Sequence, residues 1–168
     1  MTQQYSDVVK TAQDYYNSDD ADNFYYKIWG GEDIHIGLYK DDREDIATAS
    51  ERTVQTMIDC VQSDTSKALT PQGRVIDLGA GYGGAARKLA GTFGCQVTCI
   101  NLSETQNERN RQISAAAGLS DLITVEDASF EEIPSADAMF DVAWSQDSFL
   151  HSGQRARVLD EINRVTKD

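Results

Sequence analysis

The stretch Arg74–Ala90, RVIDLGAGYGGAARKLA, constrains this chain more than any other. Arg74 to Leu78 is short, apolar and β-branched, the pattern of a buried strand. Gly79, Gly81, Gly83 and Gly84 interrupt it, and Ala85 to Ala90 opens a helix. A strand, a glycine-rich bend and a helix N-terminus bring backbone N–H groups against a ligand. Gly79, Gly81 and Gly84 match the dinucleotide spacing G-x-G-x-x-G, a weak signal by itself. Asp77, two residues before the first glycine, points elsewhere. A carboxylate at a strand tip repels a pyrophosphate and attracts an ammonium or sulfonium group. No Lys or Arg lies between Val75 and Ala86. The expected ligand is therefore a cationic nucleoside.

With 168 residues, the chain has the length of one domain, and 40% hydrophobic residues suffice for a core. It has no apolar run long enough to span a membrane. Its first twenty residues are polar and carry no signal-peptide pattern, so a cytoplasmic location is expected. The formal net charge is −13, from 28 acidic and 15 basic residues. That balance argues against a nucleic-acid partner, which needs clustered positive charge. The acidic excess runs along the whole chain. It serves solubility, and it also suits a salty cytoplasm; both readings stand. Cys60, Cys95 and Cys99 are an odd set without a secretory context, so free thiols are expected.

From the N-terminus, Gln3 to Asn17 has helical spacing through Val8, Val9, Ala12, Tyr15 and Tyr16. Asp22 is placed to cap a short aromatic helix with Phe24, Tyr25, Tyr26, Ile28 and Trp29. The following GGEDIHIGLY contains His35, and this segment is either a satellite core or a lid. Thr48 to Gln62 is a clear helix, with Val54, Met57, Ile58 and Val61 on one stripe. Ser63 to Gly73 is a polar connection. Beyond the glycine bend come a strand from Cys95 to Ile100 and a helix from Glu104 to Ala117. The helix is started by a Ser103–Gln106 capping box, and its apolar contribution comes mainly from Ile113 and Ala115 to Ala117. Leu122–Val125 and Phe140–Trp144 read as further strands. Ser152–Val165 reads as a final helix with Val158, Leu159, Ile162 and Val165 on one face. Strands alternating with helices predict an α/β fold, a Rossmann-like parallel sheet of about four strands with helices on both faces. Residues 1–47 form the expected lid and cap segment, and 48–168 the cofactor-binding unit.

Ligands of open parallel sheets sit at the carboxyl ends of the strands. Those tips carry Asp77, Asn101, Asp127 and the run Ser145-Gln146-Asp147. Asn101 is an amide where dinucleotide enzymes place an acid, and it can still hydrogen-bond a diol. Asp127 can accept from an adenine amino group, and Leu102 or Phe130 can cover a purine face. Asp147 and His151 are spaced i, i+4 at the expected start of the last helix. They form a polar pair over the ligand or two ligands of a metal. No third ligand of matching spacing is present, so no metal is expected.

DLGAGYGG at 77–84, NLSETQNERNRQ at 101–112 and WSQDSFLHS at 144–152 resemble the class I S-adenosylmethionine-dependent methyltransferases. FYYKIWGGEDIHIGLY at 24–39 resembles, within them, the sarcosine/dimethylglycine N-methyltransferases of glycine betaine synthesis. Phosphoethanolamine and tocopherol methyltransferases are more distant relatives. The resemblance implies S-adenosylmethionine as co-substrate and a small amino acid, sarcosine or dimethylglycine, as acceptor, with no nucleic acid and no membrane partner. It implies that Asp77, Gly79, Ala80 and Gly81 hold the methionine part and that Asn101 and Gln106 meet the ribose. It assigns Asp127, Ala128 and Ser129 to the adenine and Gln146 to the methyl end, with Tyr25 and Trp29 reaching in from the lid. Tyr25, Asp147 and His151 are the implied catalytic residues, with Tyr25 or its neighbour Tyr26 pairing with His151. Asn101 departs from the acid that many superfamily members carry.

Class I methyltransferases have seven strands where four are counted here. The expectation is a cofactor-binding part of a longer enzyme, with weak cofactor binding and poor turnover by the chain alone. Self-association through an exposed sheet edge is a further expectation. Another small acceptor such as a phosphobase, a non-catalytic cofactor-binding subunit and a nicotinamide enzyme are the alternatives that the residues leave open. Asp77 argues against the last.

Overall fold

The structure is a computed structural model that describes residues 6–64 and 69–167. The expected helix start at Gln3 and part of the Ser63–Gly73 connection lie outside the described residues. Four strands, β1 (Arg74–Leu78), β2 (Gln96–Asn101), β3 (Ile123–Asp127) and β4 (Val142–Trp144), form one sheet in the order β3-β2-β1-β4. Every pairing is parallel. Parallel strands with intervening helices give the Rossmann-like arrangement that the alternation predicted. The entry to β4 also bridges to the chain leaving the last helix, Phe140 against Thr166.

Alternate residues of β1 supply two cores. Val75 packs with Val97, Cys99 and Trp144 under α3 (Ile46–Ser63) and α4 (Gly84–Phe93), through Val54, Ile58, Ala86 and Leu89. Ile76 and Leu78 face the other way, onto Ile100, Phe130, Phe140 and α6 (Arg155–Val165). Covered on both faces, β1 is apolar apart from its entry at Arg74 and Asp77 at its tip. Cys95 and Cys99 are buried free thiols in the first core, and Cys60 is an exposed one. No described helix is long and apolar enough to cross a membrane.

Several local readings are corrected. α5 (Glu104–Ala116) buries Gln106, Asn107, Asn110 and Ser114, while Ala115 to Ala117 are exposed and Ile113 is half-buried. Its inward face is a polar harness for the strand tips: Asn107 donates to the Asn101 carbonyl and to Asp127. Ser103 caps α5 by accepting from the Gln106 N–H, but the Gln106 side chain turns away and its Oε1 accepts from Asn101 Nδ2. The capping box is therefore half made. Asp147 and His151 do not share a helix face, because α6 starts only at Arg155. Asp147 sits in a loop at φ 48°, His151 ends a 3₁₀ turn (Phe149–His151), and Leu159 on α6 is turned outward.

The N-terminal segment comprises α1 (Asp7–Tyr16), α2 (Asp19–Phe24) and a π-helical turn, Tyr25–Trp29. Ser18 rather than Asp22 caps α2. Asp22 is buried and ties this segment to the core. It accepts from Arg109 on α5 at 2.7 and 2.5 Å and from the Tyr82 hydroxyl at 2.9 Å. The Arg109 guanidinium also lies 4.1 Å from the centre of the Tyr26 ring. Arg109 holds the Asp22 carboxyl below its ordinary value of 3.8 despite burial. The resulting stability is complete above that value and lost as pH falls through the lowered one. Asp22→Ala leaves Arg109 and the Tyr82 hydroxyl without their acceptor, and urea unfolding should show a loss of about 3 kcal/mol. A loss below about 0.5 kcal/mol, the size of a surface substitution, would show the tie to be cosmetic.

Candidate functional site

The glycine bend is built by its neighbours. Gly79 N and Ala80 N both donate to the Ile100 carbonyl, at 2.8 and 3.3 Å, folding the bend toward β2. Gly79 has φ +82°, and a Cβ there would coincide with the side chain of Ser148. Ser148 and Ser145 both donate to the Leu78 carbonyl, at 2.8 and 2.9 Å, so the loop after β4 is bolted to the tip of β1.

The segment 30–36 lies across the same bend. Gly84 N donates to the Glu32 carbonyl at 3.2 Å, Arg87 pairs with the Glu32 carboxylate, and Ile36 N donates to Asp147 Oδ2 at 2.9 Å. Two adjoining cavities remain beneath it. The larger is lined among others by Tyr16, His35, Gly79, Gly81, Asn101 and Gln106 and encloses about 60 Å³. The smaller is lined by Asp33, His35, Asp77, Ala80 and Gln146 and encloses about 30 Å³. Small-molecule pockets start at about 300 Å³. A nucleoside therefore enters only with the Ile34–His35 segment displaced.

Unpartnered buried atoms mark this place. Asp77 Oδ2, Gln106 Nε2, Gln146 Nε2 and His35 Nε2 have no hydrogen-bond partner. The two amides are aimed by their other ends: Asn101 Nδ2 donates to Gln106 Oε1 at 3.1 Å, and Trp144 Nε1 to Gln146 Oε1 at 2.9 Å. Both are left with a free NH₂ donor. Asp77 is only 3% exposed, and burial, then the charge of Asp33, push its carboxyl up to about 7 against the pull of His35. Stranding a carboxylate and two amide donors costs free energy unless a ligand completes them. The complement is a cation beside hydrogen-bond acceptors, which is the chemistry expected of a cationic nucleoside.

Comparison with known proteins gives this geometry a family. The methyltransferase domain model (Methyltransf_11) matches residues 76–168. The chain belongs to the methyltransferase domain family. It is 63% identical over 163 residues to the glycine/sarcosine/dimethylglycine N-methyltransferase of Actinopolyspora halophila, covering 97% of this chain and 28% of that protein. It is 56% identical over 168 residues to the sarcosine/dimethylglycine N-methyltransferase of Halorhodospira halochloris, covering 99% and 58%. A crystal structure from Galdieria sulphuraria, described as a sarcosine dimethylglycine methyltransferase, superposes with a TM-score of 0.83 at 47% identity, over 89% of this chain and 56% of that one. The chain thus spans less than two thirds of each of these relatives.

In this methyltransferase domain the expected site residues divide. Asp77, Gly79, Ala80, Gly81, Asn101, Leu102, Gln106, Gln146, Asp147 and His151 line the two cavities. Tyr25, Trp29, Asp127, Ala128 and Ser129 lie outside these linings. Asp127 is occupied by Asn107 at 2.8 Å and by Arg111 at 2.7 Å. Trp29 donates to the His35 carbonyl and braces the 30–36 segment.

Tyr16 and His35 are among the lining residues that were not expected. The hydroxyl that meets His151 belongs to Tyr16, at 3.0 Å from Nε2, and not to Tyr25. Tyr25 stands one ring further back, 6.0 Å from Tyr16 between ring centres. α1 ends at Tyr16 beside the 3₁₀ turn, a contact between residues 135 positions apart that no local pattern encodes. Burial keeps the Tyr16 phenol above its ordinary value and the His151 imidazole below its own, so the pair is neutral near pH 7. The second missed residue is His35. Its signal was visible as a histidine between two isoleucines in a glycine-rich segment, a pattern that fits a core position equally well.

Proposed function

We propose that this chain provides the S-adenosylmethionine site of an N-methyltransferase acting on sarcosine and dimethylglycine toward glycine betaine. The observation that carries the reading is the buried, unpartnered Asp77 beside the glycine bend, in a chain 56–63% identical to relatives named for those acceptors. Asp77, Gly79, Ala80 and Gly81 would hold the methionine part, and Asn101 with the free amide of Gln106 the ribose. Leu102, Asp127 and the backbone at Ala128 and Ser129 would frame the adenine, with Gln146 toward the reacting end. When bound, the co-substrate supplies an electrophilic methyl group.

The chain's own residues orient, exclude water and handle the proton. An amino-acid nitrogen is mostly protonated near pH 7 and attacks only after losing that proton. His151, neutral and held at Nε2 by Tyr16, is suited to accept it. Asp147, exposed at the cavity mouth, attracts a cationic amine, and Tyr25 and Trp29 can face the methylated product by cation–π contact. Location in the cytoplasm and self-association at the β4 edge belong to the same proposal.

Calorimetry with S-adenosylhomocysteine, followed by radiolabelled methyl transfer to glycine, sarcosine, dimethylglycine and phosphoethanolamine, tests it. Weak binding of the nucleoside and slow labelling of sarcosine and dimethylglycine, well below ordinary methyltransferase turnover, are expected from this chain. Label confined to phosphoethanolamine overturns the acceptor, and absence of nucleoside binding overturns the whole reading.

A further inference from the structure

We propose that residues 30–37 form a hinged strap that uncovers the nucleoside site by moving into the cleft behind it, between α3 and α4, with the Glu32–Arg87 ion pair as its latch. The inference rests on the nucleoside reading above only for the ligand that holds the strap open.

The strap has space on both sides, unequally divided. In front of it lie the two small cavities beside the glycine bend. Behind it lies a cleft of about 490 Å³, lined among others by Gly30, Glu32 and Asp33 of the strap, Thr48 and Val54 of α3 and Lys88 of α4. Asp33 lines this cleft and the smaller cavity alike, so at that residue the strap is the partition between them. Protein interiors are close-packed, and a segment moves cheaply only where a void already waits for it. Both ends of the strap are seated on α3. A Cβ on Gly30 would stand 3.2 Å from the Ala47 Cβ, and one on Gly37 would stand 2.5 Å from the Ala49 Cβ. The next N–H, that of Leu38, donates to the Ala49 carbonyl at 3.0 Å. Gly30 and Gly31 have φ +134° and +77°, backbone conformations that residues with a Cβ rarely adopt. Fixed ends with glycines beside them are the build of a hinged segment.

The middle of the strap is held to α4 and to the loop after β4 by ties that release easily. Gly84 N donates to the Glu32 carbonyl, Arg87 pairs with the Glu32 carboxylate, and Ile36 N donates to Asp147. Glu32 is 58% exposed and returns to water when released. Arg87, on the buried side of the pair, keeps the Tyr82 carbonyl at 2.6 Å and Asn110 at 3.4 Å. Against these ties stands a cost of closing. The closed strap leaves Asp77 Oδ2, Gln106 Nε2 and Gln146 Nε2 buried without partners, and opening admits water or ligand to all three. The strap is therefore poised between two positions. A nucleoside favours the open one, because the apparent affinity is the intrinsic affinity scaled by the open fraction. Bulk placed in the cleft favours the closed one and opposes the nucleoside without touching it.

Amide hydrogen exchange followed by NMR tests the strap without any ligand. In Glu32→Ala the Ile36 and Gly84 amides should exchange about 2- to 5-fold faster than in the wild type, the scale of a partly exposed ion pair. The Leu38 amide, held by α3, should keep its rate. Saturating S-adenosylhomocysteine should strip protection from the Ile36 amide of the wild type and again spare Leu38. Calorimetry supplies two variants of opposite sign, neither of them in the cavities beside the glycine bend. Glu32→Ala should bind S-adenosylhomocysteine about 2- to 5-fold more tightly. Ala117→Trp, which fills the cleft from an exposed position on its wall, should bind it at least about threefold more weakly with its thermal midpoint unchanged. Unchanged Ile36 exchange in Glu32→Ala overturns the latch. Leu38 exchanging in step with Ile36 overturns the hinge, and unchanged affinity in Ala117→Trp overturns the route into the cleft. A wild-type chain that does not bind the nucleoside overturns the cofactor reading alone, since ligand-free exchange still decides the strap.

Discussion

Asp77→Asn is expected to stabilise the ligand-free chain above pH 7 and to remove its affinity for S-adenosylhomocysteine. The carboxyl is raised from 3.8 to about 7 in the folded state. For an acid displaced upward, the stability is full below the ordinary value and is lost as pH rises through the folded one. A shift of roughly three pH units corresponds to about 4 kcal/mol, an upper bound for what ionisation of Asp77 costs the empty fold. An amide is neutral at every pH and carries none of that cost. The thermal midpoint of Asp77→Asn should therefore exceed that of the wild type at pH 8, and the gain should vanish toward pH 4. The same substitution deletes the partner of the ligand's ammonium, and calorimetry should show affinity reduced roughly 100-fold. A variant that is less stable at pH 8 and binds normally would mean that Asp77 is a structural acid. Opposite signs for stability and binding are the mark of a functional one.

Gly79→Ala should be among the most damaging single methyls in the described residues. Position 79 has φ +82°, which costs an L-residue about 1–2 kcal/mol, and the added Cβ would occupy the place of the Ser148 side chain. Moving Ser148 breaks its bond to the Leu78 carbonyl and loosens the loop that carries Gln146 and Asp147. The expected loss is about 4 kcal/mol in urea unfolding, against a total stability of about 5–15 kcal/mol for a domain. Gly118→Ala is the control. It has φ +72° but nothing within 4 Å of the added carbon, so it should cost only the backbone part, about 1 kcal/mol. Similar losses at the two positions would show that the Ser148 contact does not matter.

Much of the architecture was legible because it is written in local periodicity. The β1 run and its glycines, the apolar stripe of α3 and the alternation of strands and helices all appear where their patterns predicted. Periodicity misled where a helix face is polar by purpose. In α5 the inward residues Gln106, Asn107 and Asn110 look like surface positions, yet they are buried against strand tips that need hydrogen-bond partners. Spacing misled at Asp147 and His151, because i, i+4 brings residues together only inside a helix, and Asp147 takes a left-handed loop conformation instead.

The sequence by itself determined a parallel sheet with a glycine bend and an acid at its tip, since strand patterning, glycine conformational freedom and charge are properties of neighbouring residues. Only the tertiary structure decided that Tyr16 meets His151, that Asp22 anchors the N-terminal segment through Arg109, and that His35 stands beside Asp77 with its Nε2 unpartnered. Each of these joins residues more than forty positions apart, and a contact at that separation follows from how whole elements pack, which no local pattern records.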